Sequence, residues 1–528
     1  MFLFKRIPRL TCFLVACFFS QVARPQAKKN APNIILILAD DMGYSDLSCY
    51  GGEIPTPNID RLAEEGVQYT RFYNGARCCP SRASILTGVY PHQAGMGLMT
   101  YGGPKKNGAY DGRLNTSCVT LAEALKVAGY YTMCSGKWHV GDEPGHWPTD
   151  RGFDNYFGLV NGASNYFNLE KAKSEKAKKH TLMLRDANHY FPPKDGFYMT
   201  DAITENAVEM ISKRKGSEQP FFMYLAYTAP HWPLHAKPED IAKFKGKYSK
   251  GWDKLRQERY GRMVKKGLVD KNWKLPEKPS SIPDWESLSP RQKAEMELKM
   301  EIYAAQVYSL DKGIGQVLDL LDKNGMSDNT LVVFLSDNGA CAEGGVMGFD
   351  SFKNGVPPGG ENSFMSYGEA WAWMGNTPFR LYKKNIHEGG IATPMLARWP
   401  KGIRKADRIE RRYVGHIVDF MPTFLELAGG NYPETYKGHD IIPMAGKSLS
   451  RTFRRAKSER GEVLCWEHLG NKGIRSGKWK LVKVKKGKWE FFDMDKDGTE
   501  TVNLMDKYPS IVSELKDKWT VWAEEVGV

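Results

Sequence analysis

The sequence predicts an α/β fold, with a large mixed but mostly parallel sheet flanked by helices and a small antiparallel sheet at the C-terminal end. Nearly continuous apolar runs, typical of strands that are buried on both faces, alternate with amphipathic helical segments over most of the chain. From about Gly461 the pattern changes to short alternating strands, which are typical of an antiparallel sheet. A chain of 528 residues is long enough for two or more domains.

The strands of the large sheet are predicted from short apolar runs that end in turn residues or polar side chains. These runs lie at 33–39, 131–135, 221–227 and 331–335. Amphipathic spacing predicts the helices that flank the sheet, at 58–65, 120–127, 201–212, 294–324 and 418–427. Strands alternating with helices in this way indicate parallel pairing in the sheet.

Two long segments and the C-terminal part follow other patterns. Residues 233–290 are rich in Lys, Trp and Pro and are predicted to form an insertion at the edge of the sheet. Residues 340–375 are Gly-rich, which predicts a loop. In the C-terminal part, strands are predicted at 462–467, 478–484 and 490–494, followed by a helix at 508–525.

The N-terminal residues have the pattern of a signal peptide. A basic segment containing Lys5, Arg6 and Arg9 precedes an apolar stretch at 10–19 and a cleavage zone at 20–27. We assign the signal peptide to residues 1–26 and expect an exported protein, periplasmic or extracellular. Lipoprotein anchoring through Cys17 is the alternative. No later run is long and apolar enough to predict a transmembrane segment.

Cysteine usage and charge exclude several classes of protein. Two of the nine cysteines lie in the signal peptide, and the remaining seven are too sparse and irregular for a disulfide framework. The net charge is +14, with basic runs at 171–179, 243–278 and 478–488. We interpret these runs as solvated loops and helix faces, with steering of a polyanion as the alternative. No nucleic-acid-binding motif accompanies the charge, so nucleic acid is not an expected partner.

Reactive side chains follow four of the predicted strands, at the point where each strand ends. Ligands of open α/β sheets bind at the carboxyl ends of the strands, so these side chains are expected to meet at one edge. The side chains in question are Asp40 and Asp41, Lys137 and His139, His231, and Asp337 and Asn338.

The oxygen-bearing members of this set predict a metal site. Asp40, Asp41 and Asp337 would repel one another unless a cation neutralises them. Oxygen ligands without clustered Cys or His favour Ca²⁺ or Mg²⁺ over Zn²⁺. The alternative for a single Asp-Asp pair is a turn or a helix cap.

Cys78 is predicted to lie at the start of a short helix that contributes to the same edge. Pro80 suits the first helical turn, where its missing N–H costs nothing. Unpaired N–H groups and the helix dipole favour negative charge at this end. Arg82, four residues on, lies on the same helical face and adds to the positive field. The alternative is a buried cysteine that caps a core helix.

The segment from Cys78 to Gly88 reads C-C-P-S-R-A-S-I-L-T-G and resembles the signature of the type I sulfatases, which belong to the alkaline phosphatase superfamily. The resemblance implies that a formylglycine-generating or sulfatase-maturating enzyme oxidises Cys78 to Cα-formylglycine. The hydrate of this aldehyde would be the nucleophile, and Cys79 would occupy a variable position. An alkaline phosphatase-like fold is implied as well.

Other motifs resemble the same family and occur in the same order. They are G-K-W-H at 136–139, P-H-W-P-L at 230–234, and P-F-R-L-Y-K at 378–383 followed by E-G-G at 388–390. Lys383, and not Lys384, has the spacing to Glu388 that the family shows, so the resemblance implies Lys383 as the active-site lysine. The resemblance implies one Ca²⁺ ion with the ligands Asp40, Asp41, Cys78 (as formylglycine), Asp337 and Asn338. It implies the catalytic residues Cys78, Arg82, Lys137, His139, His231 and Lys383.

These observations predict a secreted sulfuric ester hydrolase of the arylsulfatase type that releases inorganic sulfate from aryl or carbohydrate sulfates. We assign the catalytic domain to residues 32–455 and a C-terminal subdomain to 456–528. Two alternatives stay open. One is a phosphonate or phosphodiester hydrolase of the same superfamily. The other is a catalytically silent sulfate-binding protein in which Cys78 remains a thiol.

Overall fold

The computed structural model describes residues 28–101, 108–170, 182–349, 356–404, 408–455 and 459–528. The predicted signal peptide at 1–26, with Cys12 and Cys17, and the basic run at 171–179 lie outside these residues. In the described part of the chain, no helix combines the length and apolar character that crossing a membrane requires.

A mixed sheet of ten strands forms the centre of the described structure. Its five central strands run parallel to one another, and antiparallel strands extend both sides, which confirms the predicted fold class. From one edge to the other the strands are Arg408–Glu410, Val67–Tyr69, Met395–Arg398, Thr330–Ser336, Asn33–Ala39, Phe221–Ala226, Tyr131–Gly136, Asn155–Leu159, Met183–Arg185 and Asn188–His189.

The central strand Asn33–Ala39 is buried on both faces, as its unbroken apolar sequence predicts. Ile35 and Ile37 pack into one hydrophobic cluster, whereas Leu36 and Leu38 pack into the other, because successive side chains of a strand point to opposite faces. Ile34 pairs with Phe222 on one side and with Leu331 on the other. The sheet therefore separates two cores and holds its strand ends in a fixed register.

The helices of the described chain surround this sheet, except the last one, which packs against the C-terminal sheet. They span Pro57–Glu64, Cys78–Thr87, Leu121–Val127, Met199–Ser212, Pro238–Ile241, Gly251–Lys266, Pro290–Lys323, Gly368–Gly375, Glu388–Ile391, Phe420–Ala428, Ser450–Phe453 and Pro509–Val526. The longest begins at a capping box formed by Ser289 and Gln292. Two short strand pairs, Phe72–Tyr73 with Gly415–His416 and Thr435–Tyr436 with His439–Asp440, lie outside the main sheet.

The C-terminal part forms a four-stranded antiparallel sheet, as predicted. Its strands are Leu464–His468, Asn471–Ser476, Trp479–Lys483 and Trp489–Asp493. The helix Pro509–Val526 packs Leu515 and Trp519 against Ile474 and Leu481 of this sheet. The strand Asn471–Ser476 is absent from the sequence predictions, because its sequence N-K-G-I-R-S carries too few apolar residues for a strand signal.

One sequence interpretation is incomplete and one is wrong. The lysines of the basic run at 243–278 are mostly exposed, as interpreted, but the helix Gly251–Lys266 also buries Arg256 and Arg259 completely. Arg256 donates hydrogen bonds to the carbonyl oxygens of Trp373, Pro378 and Phe379, whereas Arg259 pairs with Asp46 and Glu53. Residues 340–375 are not loop throughout, because they end in the helix Gly368–Gly375.

Candidate active site

The polar residues that follow the central strands meet at one edge of the sheet. Asp40 and Asp41 follow the strand Asn33–Ala39, Lys137 follows Tyr131–Gly136, and Asp337 follows Thr330–Ser336. The strands are parallel and in register, so their carboxyl ends lie side by side. All four of these side chains are buried.

Cys78 is the first residue of the helix Cys78–Thr87, whose N-terminus faces this edge. Arg77, in an extended conformation, is the N-cap residue, and Gly88 ends the helix in the left-handed conformation that glycine adopts without strain. The thiol of Cys78 is buried, and its sulfur lies 4.0 Å from the sulfur of Met99. The sulfurs of Cys78 and Cys79 and a ring nitrogen of His139 lie within 4.8 Å of one another.

Asp40 and Asp337 form ion pairs with Lys137 and Arg82. Lys137 Nζ lies 2.6 Å from Asp40 Oδ2. Arg82 Nη2 lies 2.9 Å from Asp337 Oδ2 and 3.7 Å from Asp40 Oδ2. The guanidinium of Arg82 also donates to the backbone carbonyl of Lys137 at 2.9 Å, which fixes the helix relative to the strand end.

Asp41 is the centre of a second set of contacts. Lys383 Nζ lies 2.8 Å from Asp41 Oδ2, and His231 Nε2 lies 3.4 Å from the same oxygen. Asn338 Nδ2 donates to Asp41 Oδ1 at 2.7 Å, and the backbone N–H of Asp41 donates to Asp337 Oδ1 at 3.2 Å. The Nδ1 of His231 donates to the carbonyl oxygen of Trp232 at 2.6 Å, which leaves its Nε2 facing the site.

The donor atoms of this cluster fit a hard cation. Among the described residues, Asp40 Oδ1 and Asn338 Oδ1 are buried acceptors without a hydrogen-bond partner. Buried polar atoms are almost always satisfied, so two unsatisfied oxygens beside two further carboxylates indicate a missing positive partner. Ligand atoms of Asp40, Asp41 and His231 lie within 4.8 Å of one another. Oxygen-rich ligation of this kind suits Ca²⁺ or Mg²⁺.

Burial and neighbouring charges shift the pKa values of the three aspartates in different directions. Burial raises the pKa of Asp337 to about 7, with repulsion from Asp40 in the same direction. Burial also raises the pKa of Asp40, although Lys137 and Arg82 oppose the shift. The pKa of Asp41 is lowered, because the attraction of Lys383 and His231 overcomes the effect of burial.

The pKa values of Cys78 and of the two histidines of the site are shifted in directions that favour nucleophilic and basic roles. The pKa of Cys78 is well below its usual value, because Cys79 donates a hydrogen bond to it and Lys137 adds positive charge. Burial lowers the pKa of His139 and of His231. Lys383 has a raised pKa, because the attraction of Asp41 exceeds the effect of burial.

The structure brings all of the sequence-predicted site residues into one buried cluster. They are Asp40, Asp41, Cys78, Arg82, Lys137, His139, His231, Asp337, Asn338 and Lys383. The choice between the adjacent lysines agrees with the geometry, because Lys383 contacts Asp41 whereas Lys384 pairs with Glu343. The seven cysteines in the described part of the chain are buried free thiols, as expected without a disulfide framework.

Sequence reasoning missed Asn376, which is buried beside the cluster. Its side-chain oxygen accepts from the backbone N–H of Ala340 at 3.0 Å, and its Nδ2 donates to the carbonyls of Leu381 and Gly389. Asn376 thereby joins the loop after the strand Thr330–Ser336 to the segment that carries Lys383. An asparagine before a Thr-Pro turn carries no motif signal from which this role follows.

The fold and the cluster at its strand ends define a member of the alkaline phosphatase superfamily, and comparisons with known proteins give the family. The sulfatase family model matches residues 32–430, and a model described as N-sulphoglucosamine sulphohydrolase, C-terminal, matches residues 378–524. The chain therefore belongs to the sulfatase family and is a sulfuric ester hydrolase.

Individual relatives cover most of the chain. An arylsulfatase of Klebsiella aerogenes is 37% identical, over 83% of this chain and 95% of the relative. An N-acetylgalactosamine-6-sulfatase of Canis lupus familiaris is 30% identical, over 88% of this chain and 74% of the relative. The crystal structure of Ps i-CgsB in complex with k-i-k-neocarrahexaose aligns with a TM-score of 0.68 at 28% identity, over 93% of each chain.

Proposed function

We propose that this chain is an exported, calcium-dependent sulfatase that removes sulfate from sulfated carbohydrates, with Cys78 converted to formylglycine by a maturating enzyme. The observation that carries the proposal is the convergence of Cys78 with Asp40, Asp41, Asp337 and Asn338 in one buried cluster. The names of the relatives support a sugar substrate, since one acts on N-acetylgalactosamine 6-sulfate by its name and one was solved with a bound hexaose.

Charge balance in the cluster supports binding of an anion. Asp40, Asp41 and Asp337 bring three carboxylates, and Arg82, Lys137 and Lys383 bring three cations. A divalent cation would add two positive charges, which the single negative charge of a sulfate ester and a deprotonated hydroxyl of residue 78 would together balance. Since these groups are buried and fixed by ion pairs, they form a preorganised clamp for the charge of the transition state.

Asp40, Asp41, Asp337 and Asn338 would hold the cation, with residue 78 as a further ligand. The bound cation would acidify a hydroxyl of the formylglycine hydrate and polarise a sulfate oxygen. Calcium is proposed over zinc because both unsatisfied donors and all four assigned protein ligands are carboxylate or amide oxygens, whereas the nearby His231 is assigned to the departing alcohol.

The chain's own side chains then orient the sulfate and move protons. Arg82 and Lys137 hold positive charge next to residue 78. Lys383 retains its proton because of its raised pKa, so it can donate to the departing alcohol oxygen together with His231. His139, kept neutral by burial, accepts a proton from residue 78 in the step that releases sulfate.

The test is sulfate release by protein produced together with a maturating enzyme, with Cys78→Ala as the matched control. The proposal predicts that an aryl sulfate and a sulfated sugar are hydrolysed. It also predicts that the intact mass of the protein is lower than the mass calculated with an unmodified cysteine at residue 78. Faster hydrolysis of an aryl phosphonate would favour the phosphonate or phosphodiester hydrolase. A retained thiol with sulfate binding and no turnover would favour the binding protein.

Export is a separate part of the proposal. It is supported by the basic and apolar segments before residue 27. Fractionation of producing cells should place the mature protein outside the cytoplasm, with an N-terminus near residue 27. A cytoplasmic protein that retains residues 1–26 would contradict export and leave the catalytic proposal intact.

A further inference from the structure

Three charged side chains lie together beside the active site and have no part in the mechanism above. Glu343 Oε1 lies 2.5 Å from Lys384 Nζ and 3.6 Å from Arg77 Nη2. We call Arg77 and Lys384 the rim cations. Since one carboxylate is shared between two cations, the group keeps a net positive charge.

The rim cations are attached directly to the catalytic segments. Arg77 precedes Cys78 and is the N-cap residue of its helix, and Lys384 follows Lys383. The backbone N–H of Lys384 donates to the carbonyl oxygen of Ala76 at 2.8 Å, so the two segments are in contact. The separation between the rim cations and the reacting sulfur is therefore set by backbone contacts and not by a flexible loop.

Arg77 is incompletely paired for a cation with so little exposure. Its side chain is 12% exposed, and within the described part of the chain its Nε is a buried donor without a hydrogen-bond partner. Its contact with Glu343 is longer than a charge-assisted hydrogen bond, which spans about 2.7–2.9 Å. A largely buried guanidinium that keeps an unused donor can bind a further anionic partner.

Glu343 also fixes an aromatic ring at this position. Its Oε2 accepts from Trp232 Nε1 at 2.8 Å, and the Trp232 ring lies 4.8 Å from the ring of His231. Trp232 is only partly buried. An indole held by its N–H presents a rigid apolar surface of the kind on which a sugar ring packs. The rim cations, Glu343 and Trp232 thus form one connected surface beside the sulfate-cleaving cluster.

We propose that the rim cations form a second anion subsite, so that the substrate is a sugar with an additional anionic group, a second sulfate or a carboxylate, besides the sulfate that is removed. This inference rests on the proposed function. Glu343 orients Lys384 and Trp232, and Arg77 and Lys384 contact the second anion. Simple aryl sulfates do not reach this subsite, because they carry no second charge.

The test compares a monosulfated sugar, the same sugar with a second sulfate, and p-nitrophenyl sulfate. The matured wild-type enzyme should prefer the disulfated sugar by roughly 10- to 100-fold in kcat/KM, the range expected for hydrogen bonds to a charged group. Arg77→Gln and Lys384→Gln should each lower this preference, mainly through KM, while p-nitrophenyl sulfate is hydrolysed as before. Arg77→Lys keeps the positive charge, so it should retain more of the preference for the disulfated sugar than Arg77→Gln does. Arg61→Gln, which removes two ion pairs of a different helix, is the matched control and should keep the preference.

Either of two results would overturn the subsite. One is an equal kcat/KM for the two sugars in the wild type. The other is a parallel loss of kcat/KM on all three substrates in both Gln variants. If no substrate is turned over, the proposed function fails, and calorimetric binding of the two sugars still tests the subsite. Tighter binding of the disulfated sugar that disappears in Lys384→Gln supports it, and equal affinities contradict it.

Discussion

Asp40 and Asp41 are neighbours in the chain but serve different halves of the site. Asp40 faces Lys137 and Arg82, whereas Asp41 faces Lys383. The backbone of Asp41 has φ of 67°, a left-handed conformation that aspartate adopts more readily than most residues. This turn lets two successive carboxylates enter the same cluster, and it explains why an Asp-Asp pair follows the strand Asn33–Ala39.

The proposed chemistry depends on Cys78. Replacing Cys78 by Ser should lower kcat by at least about 10³-fold, because serine does not provide the second hydroxyl of an aldehyde hydrate. Steady-state hydrolysis of p-nitrophenyl sulfate measures the effect. Cys118→Ser replaces a buried thiol that donates a weak hydrogen bond to the carbonyl of Asn115 and does not belong to the strand-end cluster, so it should retain activity. Multiple turnovers at the wild-type rate by Cys78→Ser would refute this role.

Removal of the cation should lower the stability of the protein even when no substrate is present. A chelator should lower the melting temperature, and Ca²⁺ at 100 times its Kd should add about 2.7 kcal/mol to the free energy of unfolding. Asn338→Ala should abolish most of this response, because Asn338 supplies one of the two unsatisfied oxygens.

Asp319→Asn changes an exposed acid on the helix Pro290–Lys323 and is the control for charge alone. It should melt like the wild type with and without Ca²⁺. A wild-type protein whose melting temperature is the same in chelator and in Ca²⁺ would count against a cation at the strand ends.

His235 should make the fold sensitive to acid. It is buried, its Nε2 contacts the carbonyl of Ser363 at 2.8 Å, and burial lowers its pKa to about 4 from 6.5. The unfolded chain binds the proton more readily, so stability is lost as the pH falls from 6.5 towards 4, by about 3 kcal/mol for this group. Urea unfolding at several pH values measures the loss. His235→Gln should flatten the profile over this interval, and an unchanged slope would exclude His235 as its source.

At the scale of elements, the C-terminal sheet supports the segment that carries Lys383. Lys480 is fully buried, with its Nζ 2.7 Å from Glu388 and 2.7 Å from Glu500. The backbone N–H of Glu388 donates to Glu500 at 2.9 Å, and Arg380 donates to the carbonyl oxygen of Glu500 at 2.8 Å. The sheet and the loop that follows its last strand therefore hold both ends of the short segment between Arg380 and Glu388.

Lys480→Met should destabilise the protein by about 3–5 kcal/mol, because it leaves two buried carboxylates without their cation. It should also lower kcat/KM, since the Lys383 segment loses its support. Melting temperature and p-nitrophenyl sulfate kinetics measure the two effects. Lys478→Met, which removes a half-exposed partner of Asp493 in the same sheet, should change neither by much. Equal behaviour of the two variants would show that the buried ion network does not support the segment.

Elements with a regular apolar period could be predicted, and elements stabilised by buried polar groups could not. The strand Asn33–Ala39 and the helix Pro290–Lys323 follow directly from their sequences. The helix Gly251–Lys266 has few apolar residues, and its buried face includes two arginines that only tertiary contacts satisfy. Its sequence therefore reads as a solvated, basic segment.

The candidate site shows the same division. Asp40, Lys137 and Asp337 were predictable because they follow buried parallel strands, and Cys78 and Lys383 because their motifs resemble a known family. The roles of three other residues could not be predicted, because they lie in loops or at a helix cap where no spacing indicates a role. These residues are Asn376, Glu343 and Arg77. Their contribution depends on which loops the fold brings together.

At the scale of the whole molecule, the central sheet and the two cores on its faces hold the groups of the candidate site in place. Groups from strands, from the helix Cys78–Thr87 and from the segment supported by the C-terminal sheet converge on one buried point. The sulfatase family model and the C-terminal model together match residues 32–524, so the similarity to the family extends over both the central sheet and the C-terminal part.

The central claim is that sulfate hydrolysis depends on an oxidised residue 78. The most direct measurement is peptide mass spectrometry of residue 78 on preparations with different degrees of maturation, alongside their specific activity. The account predicts that activity is proportional to the fraction of peptide carrying the aldehyde and vanishes when all of it carries the thiol. Undiminished activity in a preparation whose Cys78 is entirely thiol would contradict it.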